Sequence, residues 1–205
     1  MAISLPVDIS TIKGFLAEDE AEALYHLARK CSVLGPIFEI GSYCGKSTIY
    51  LGAAVKDING TVYALDHHRG SEEHQLGEEY HDGDLYDADI ALMDTFKAFR
   101  KNMRAAELED TVVPVVASSR AASRHWDTGL GMLFIDGGHS LEAAMTDYRC
   151  WVSHIKSGGI LAIHDIFPNP NDGGQAPYTI YKLAEASGLF EKLPIVNTLG
   201  LFKRK

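Results

Sequence analysis

Five short apolar runs, each ending at a polar residue or a glycine turn and separated from the next by a helical pattern, restrict this chain to alternating strands and helices. The runs are PIFEIG, TVYALD, VVPVVA, GMLFID and ILAIHD. Near-continuous apolar strands are buried on both faces, the condition of parallel strands joined by crossover helices. The expected fold class is α/β: a doubly wound, mostly parallel seven-stranded sheet with helices on both faces, the last two strands coming from FEKLPIV and LGLFKRK.

The segments between the runs support that order. From about Glu18 to Cys31, Ala21, Leu24, Tyr25 and Ala28 share one helical face, with acids at the start and Arg29 and Lys30 at the end, as the helix dipole favours. A helix is expected from about Ser47, and another with Leu92, Phe96, Phe99 and Met103 on one face. A further helix spans about Leu141 to Ile155, stopped by Gly158-Gly159, and one lies around Tyr178 to Ala186. Residues 67–88 are polar and aperiodic, which reads as a lid-like insertion. One domain over residues 1–205 is expected, residues 1–34 being a leading helical segment whose exposed helix leaves room for a homodimer.

A formal net charge of −9 with no basic block argues against nucleic acid or an anionic membrane as a partner. No window approaches 18 uninterrupted apolar residues, and the N-terminus lacks a basic region followed by an apolar one. Cys31, Cys44 and Cys150 show no CxxC spacing. A cytoplasmic protein with a small-molecule partner is expected.

Ligands of open α/β sheets bind at the carboxyl ends of the strands. The residues there are Glu39-Ile40-Gly41, Asp66, Ser118-Ser119, Asp136 and His164-Asp165. Gly41 and Gly45 bracket a turn that a nucleoside can approach closely, and Asp66, about twenty residues on, can accept both hydroxyls of a ribose. The alternative is a tight strand-to-helix connection and a solvated strand end. The spacing G-x-x-x-G lacks the middle glycine of a dinucleotide fold. Gly45-Lys46-Ser47 imitates a P-loop, but only Ser42, Tyr43 and Cys44 separate the glycines.

The string FEIGSYCGKST resembles the first motif of class I S-adenosylmethionine-dependent methyltransferases, especially the catechol O-methyltransferase-like group. LFIDGGHSLEAAMTDYRCWVSHIKSGGILAIHDI resembles a bacterial family of small O-methyltransferases related to macrolide-sugar O-methyltransferases. Together the strings cover roughly Phe38 to Ile166. The resemblance implies a Rossmann-like fold and S-adenosyl-L-methionine as cofactor. It places Gly41, Tyr43, Gly45 and Ser47 along the methionine end, Asp66 on the ribose and Ser118 near the adenine. Glu39, Ser42, His67 and Asp136 are counted with the cofactor-binding residues. Ala117 stands where many relatives carry glycine before the serine.

Asp136, His164 and Asp165 close adjacent strands about 4.8 Å apart, so they can converge on one divalent ion; mostly oxygen donors with one imidazole suit Mg²⁺ or Mn²⁺ and also admit a softer ion. Animal catechol enzymes lack the histidine. His139, three residues beyond Asp136, is the candidate base, and Asp136 is counted with it as catalytic. The alternative is that Asp136 caps a helix, His139 is a loop histidine and His164-Asp165 merely end a strand. The expected function is O-methyl transfer to a small hydroxylated acceptor, catechol-like or sugar. The competing functions are a cephalosporin-hydroxylase-like metal enzyme, a P-loop-like nucleotidase and a non-catalytic cofactor-binding module. His67, His68, His74 and His81, with Glu72, Glu73, Glu78 and Glu79, match no standard ligand set and read as solvated lid. Tyr148 and Trp151 read as core, and Cys44 as a small packing residue.

Overall fold

All five apolar runs form strands in the computed structural model, which describes residues 3–71 and 82–205. In chain order the strands are β1 (Ile37–Ile40), β2 (Val62–Asp66), β3 (Tyr86–Asp87), β4 (Leu92–Met93), β5 (Val112–Val116), β6 (Leu130–Ile135), β7 (Ile155–Ile163), β8 (Phe190–Lys192) and β9 (Gly200–Arg204). The helices are α1 (Glu18–Cys31), α2 (Lys46–Val55), α3 (Phe96–Ala105), α4 (Ser119–Ser123), α5 (Leu141–Trp151) and α6 (Ala176–Ala186). Seven strands form one sheet in the order β5-β2-β1-β6-β7-β9-β8, while β3 and β4 pair separately. Strands β5 through β7 run parallel, and β9 lies antiparallel to both β7 and β8. The strand order reverses at β1, which has β2 on one side and β6 on the other, and a crevice opens at such a point.

Alternation along the strands sorts their side chains between two cores. Ile37, Met132, Phe134, Ile160 and Ala162 pack with Leu24 of α1, Ile49 of α2 and Phe99 of α3. Phe38, Ile40, Leu133, Ile135, Leu161 and Ile163 pack with Trp151 of α5 and Tyr181 of α6. The rings of Phe38 and Trp151 stack with centroids 3.9 Å apart, and Tyr148 is also buried, as the helical spacing predicts. Each fully buried large apolar side chain contributes about 2 kcal/mol. Among the described residues, no helix is long and apolar enough to cross a membrane.

Three local expectations are corrected. Leu92 belongs to β4, and the helix begins only at Phe96. Its spacing from Phe96 imitates a helical face, but Met93 pairs with Tyr86 instead. Helix α5 ends at Trp151, and Gly158-Gly159 lies inside β7, where the left-handed Gly158 (φ 83°) accompanies a register shift against β6. The run FEKLPIV is strand only through Lys192; Pro194, which has no N–H to donate, lies beyond it. Pro114 is tolerated within VVPVV because β5 is an edge strand, with Val113 and Val116 exposed.

Candidate active site

Strand register places the residues at the tips in one row. Ile40 pairs with Leu65 and with Ile135, and Ile135 pairs with Ile163, so the next residues, Gly41, Asp66, Asp136 and His164, stand side by side. The backbone N–H groups of Gly41, Asp136 and His164 continue the ladder, donating to Leu65, Ile40 and Ile135 at 2.9, 2.9 and 3.0 Å. Around this row lies a cavity of about 1310 Å³.

The turn after β1 is held from below and from the side. Gly41 (φ 88°) and Gly45 (φ 91°) are left-handed, as is Tyr43 (φ 45°). A Cβ on Gly41 would lie 2.0 Å from the Asp136 carbonyl oxygen, and one on Gly45 would lie 2.6 Å from Met103 Cε. The glycines thus make room for β6 and α3; the clearance sequence reasoning assigned to a ligand is taken by protein. Asp66 holds the other side of the turn, its carboxylate accepting from the N–H of Tyr43 at 2.8 Å and of His68 at 2.7 Å.

Gly41, Ser42, Tyr43, Ser47, Asp66, His67, Ser118 and Asp136 all line the cavity. Glu39 and Gly45 stand behind its wall. Glu39 is fully buried and accepts from the Ser47 and Thr48 hydroxyls, both at 2.5 Å, which ties β1 to the first turn of α2. Burial, with Asp136 and Asp66 nearby, pushes its carboxyl up to about 8 against those hydrogen bonds. Ser42 Oγ is buried on the cavity wall without a hydrogen-bond partner among the described residues. The P-loop imitation fails chemically as well as by length. Ser47 is bonded to Glu39, and Lys46 Nζ donates to the Gly14 carbonyl at 3.1 Å.

On the far side, Ser118 caps α4 by accepting from the Ala121 N–H at 3.3 Å. Beside it the Ser119 hydroxyl donates to Asp147 of α5 at 2.5 Å. Asp147 was not among the expected site residues, although it lines the cavity. Burial raises its carboxyl from 3.8 to about 6, the Ser119 bond offsetting only part. The folded chain therefore keeps this proton between about pH 4 and 6, where the unfolded chain has lost it, and stability falls as pH rises through that window. Asp147→Asn should remove the loss: urea unfolding should show the variant gaining on wild type from pH 4 to pH 7, by roughly 3 kcal/mol at most. An equal difference at both pH values would contradict the assignment.

The other end of the row carries the ionisable cluster. Asp136 and His164 follow Ile135 and Ile163, so alternation turns their side chains toward the face that carries α1. His164 Nδ1 donates to Asp136 Oδ1 at 3.0 Å, and its Nε2 donates to Oε2 of the buried Glu20 in α1 at 2.9 Å. Burial disfavours charge on His164, but Asp136, Asp165 and Glu20 outweigh it and hold its pKa well above that of an ordinary imidazole. Asp165 (φ 58°) leaves the strand geometry and brings Oδ2 to 3.1 Å from His139 Nε2 and 3.5 Å from His164 Nδ1. Its burial works against ionisation, yet the bonds from the two histidines keep it ionised well below the usual carboxylate range. One ligand atom from each of Asp136, His164 and Asp165 lies within 4.8 Å of the others, which meets the requirement for sharing one cation.

In the histidine- and glutamate-rich insertion, His74, His81, Glu72, Glu73, Glu78 and Glu79 lie outside the described residues. His68 is buried with Nδ1 2.7 Å from Thr95 Oγ1. Cys44 is buried too, and burial pushes its thiol up to about 12, as suits a packing residue. Glu20 and Asp147 are not among the residues expected from the sequence. Glu20 follows Glu18 and Asp19 in the acidic first turn of α1, and its only separate signal is position, since it falls beside Ala21 and Leu24 on the packed face.

Residues 38–166 match a family model described as a methyltransferase domain. The chain is similar in fold to the O-methyltransferase NovP, with a TM-score of 0.66 and 18% identity over 91% of this chain and 80% of that one. It also resembles the S-adenosylhomocysteine-bound methyltransferase PaMTH1 of Podospora anserina (TM-score 0.65, 15% identity, 93% and 80% covered). A third similar structure is an O-methyltransferase of Bacillus cereus in complex with S-adenosylhomocysteine (TM-score 0.63, 15% identity, 95% and 86% covered).

Proposed function

The chain belongs to the methyltransferase-domain family, of the class I S-adenosylmethionine-dependent type, and from that premise we propose that it methylates an oxygen of a small hydroxylated acceptor, catechol-like or sugar, with a divalent cation at the strand tips. The observation that carries this is the single row of Gly41, Asp66, Asp136 and His164 along one cavity, which supports a nucleoside at Asp66 beside a cation at Asp136 and His164.

When bound, S-adenosylmethionine supplies a methyl group made electrophilic by its sulfonium. The wall residues fit it. Ser42 Oγ, buried without a hydrogen-bond partner among the described residues, can bond a polar atom of the methionine end, and Tyr43 and Ser47 line the same cavity. Asp66 is oriented by the two N–H groups it already accepts from, and each carboxylate oxygen has a further lone pair for a ribose hydroxyl. Ser118, on the cavity wall, would meet the adenine, with His67 beside Asp66. Glu39 acts from behind, by fixing Ser47 and the start of α2.

Asp136, His164 Nδ1 and Asp165 would hold the cation, and the nitrogen must give up its proton to do so. A cation there would lower the pKa of the acceptor hydroxyl and orient its oxygen. His139 would take the proton at Nδ1, because its Nε2 donates to Asp165 Oδ2, 3.1 Å away, and that carboxylate orients the ring and stabilises the imidazolium that forms.

The test is mass-spectrometric detection of O-methylated products from a panel of catechols and sugars, before and after chelation. Turnover should vanish in chelator and return with Mg²⁺ or Mn²⁺. His139→Ala should lower kcat by about 10²-fold or more with cofactor affinity unchanged. Full turnover in chelator would eliminate the cation, and full turnover in the variant would eliminate His139 as base.

A further inference from the structure

Glu20 is an acid that helix chemistry alone does not account for. Glu18 and Asp19 already supply negative charge to the first turn of α1 from exposed positions, whereas Glu20 is only 2% exposed. Burying a carboxylate is costly unless its lone pairs are filled. Here they are filled from three separate parts of the chain. Oε2 accepts from the Ala17 N–H at 3.1 Å and from His164 Nε2 at 2.9 Å. Oε1 accepts from the Thr198 N–H at 2.9 Å and the Thr198 hydroxyl at 2.7 Å.

Only one of these donors belongs to the tip cluster, and it is the one whose orientation decides what the cluster can do. An imidazole has two ring nitrogens. With Nε2 directed away from the cavity into Glu20, the ring must present Nδ1 to Asp136 at 3.0 Å and to Asp165 at 3.5 Å. The Phe134 ring lies edge-on to the imidazole, with centroids 6.3 Å apart, and restricts its rotation further. A carboxylate on the distal N–H fixes the tautomer and orientation of a metal-binding histidine and raises its basicity as a ligand.

We propose that Glu20, on the helix that precedes the sheet, is a positioning residue for the cation cluster, holding His164 so that Nδ1 joins the oxygens of Asp136 and Asp165. This rests on the cation binding proposed above. The leading helix is thereby part of the functional site, 144 residues distant in sequence from the side chain it orients.

The test uses the full chain and Mn²⁺ alone as probe, followed by electron paramagnetic resonance, with S-adenosylhomocysteine affinity measured separately. Glu20→Gln keeps the shape but removes the charge, and should weaken Mn²⁺ binding by 10- to 100-fold, roughly, with S-adenosylhomocysteine affinity within about twofold. Thr198→Val removes a bond to the other carboxylate oxygen without touching His164. It should lower Tm and leave Mn²⁺ affinity unchanged, whereas a purely structural Glu20 would make the two variants behave alike. Nitrogen-15 spectra of histidine-labelled wild type, with His164 assigned through His164→Gln, give a readout that does not depend on the Glu20 variant folding. On addition of Mg²⁺ the Nδ1 resonance should move while Nε2 stays protonated. Wild-type Mn²⁺ affinity in Glu20→Gln, or Mg²⁺ acting at Nε2, would overturn the role of Glu20 alone. Failure of the wild type to bind Mn²⁺ would overturn the cation cluster itself and the role of Glu20 with it.

Discussion

Asp165→Asn should lower kcat for methyl transfer by about 10³-fold or more while leaving S-adenosylhomocysteine affinity within about twofold. Asparagine is the suitable replacement because residue 165 sits at φ 58°, a left-handed conformation that Asn and Asp tolerate better than other side chains. The loss has two sources. One of the three members of the proposed cation cluster becomes neutral, and His139 loses the carboxylate 3.1 Å from its Nε2. A 10³-fold effect corresponds to about 4 kcal/mol of transition-state stabilisation. Rapid-quench and steady-state assays at saturating cofactor would measure it. A variant with near-wild-type kcat would mean that Asp165 takes no part in turnover.

Gly41→Ala should cost about 4 kcal/mol of folding free energy, and Tm should fall by roughly 8–16 °C. The new Cβ would lie 2.0 Å from the Asp136 carbonyl oxygen and 2.9 Å from Gly137 Cα. Both are backbone, so relief requires β1 and β6 to move apart at the row that carries the site. The φ of 88° adds strain of its own. Gly83→Ala is the control, since a Cβ there meets nothing within 4 Å among the described residues, and it should stay within about 0.5 kcal/mol of wild type. Urea unfolding of both variants would read the difference, and equal stability would contradict the close approach of the two strands.

How much of this could be read from the residues depended on the range of the interaction. The strands and their order of alternation were legible because burial on both faces writes itself into consecutive residues, as in MLFI and ILAI. The tip residues were legible for the same reason, since each is the first polar residue after such a run. Residues that act across the fold were not. Glu20 meets His164 and Thr198 only because α1 packs over the carboxyl end of β7, and nothing local to EDEA marks that contact. In LEAAMTDYRCW Asp147 is one polar residue of a helix, and it is a buried acid because α4 brings Ser119 to it. Gly41 stands out in the sequence as a turn glycine, but the atom that needs its missing Cβ is the carbonyl of Asp136, just past β6 and 95 residues on by number. Gly158-Gly159 misled because a glycine pair after a helical pattern signals a stop equally well when it lies inside a bulged strand.

Calorimetric titration of the purified chain with S-adenosylhomocysteine bears most directly on the shared cavity at the strand tips. One molecule should bind per chain, and Asp66→Ala should weaken binding by at least about tenfold, because it removes the carboxylate that orders the Tyr43 turn at the cavity wall and is proposed to hold the ribose. Absence of heat and of any thermal stabilisation in the wild type, or equal affinity in Asp66→Ala, would contradict it.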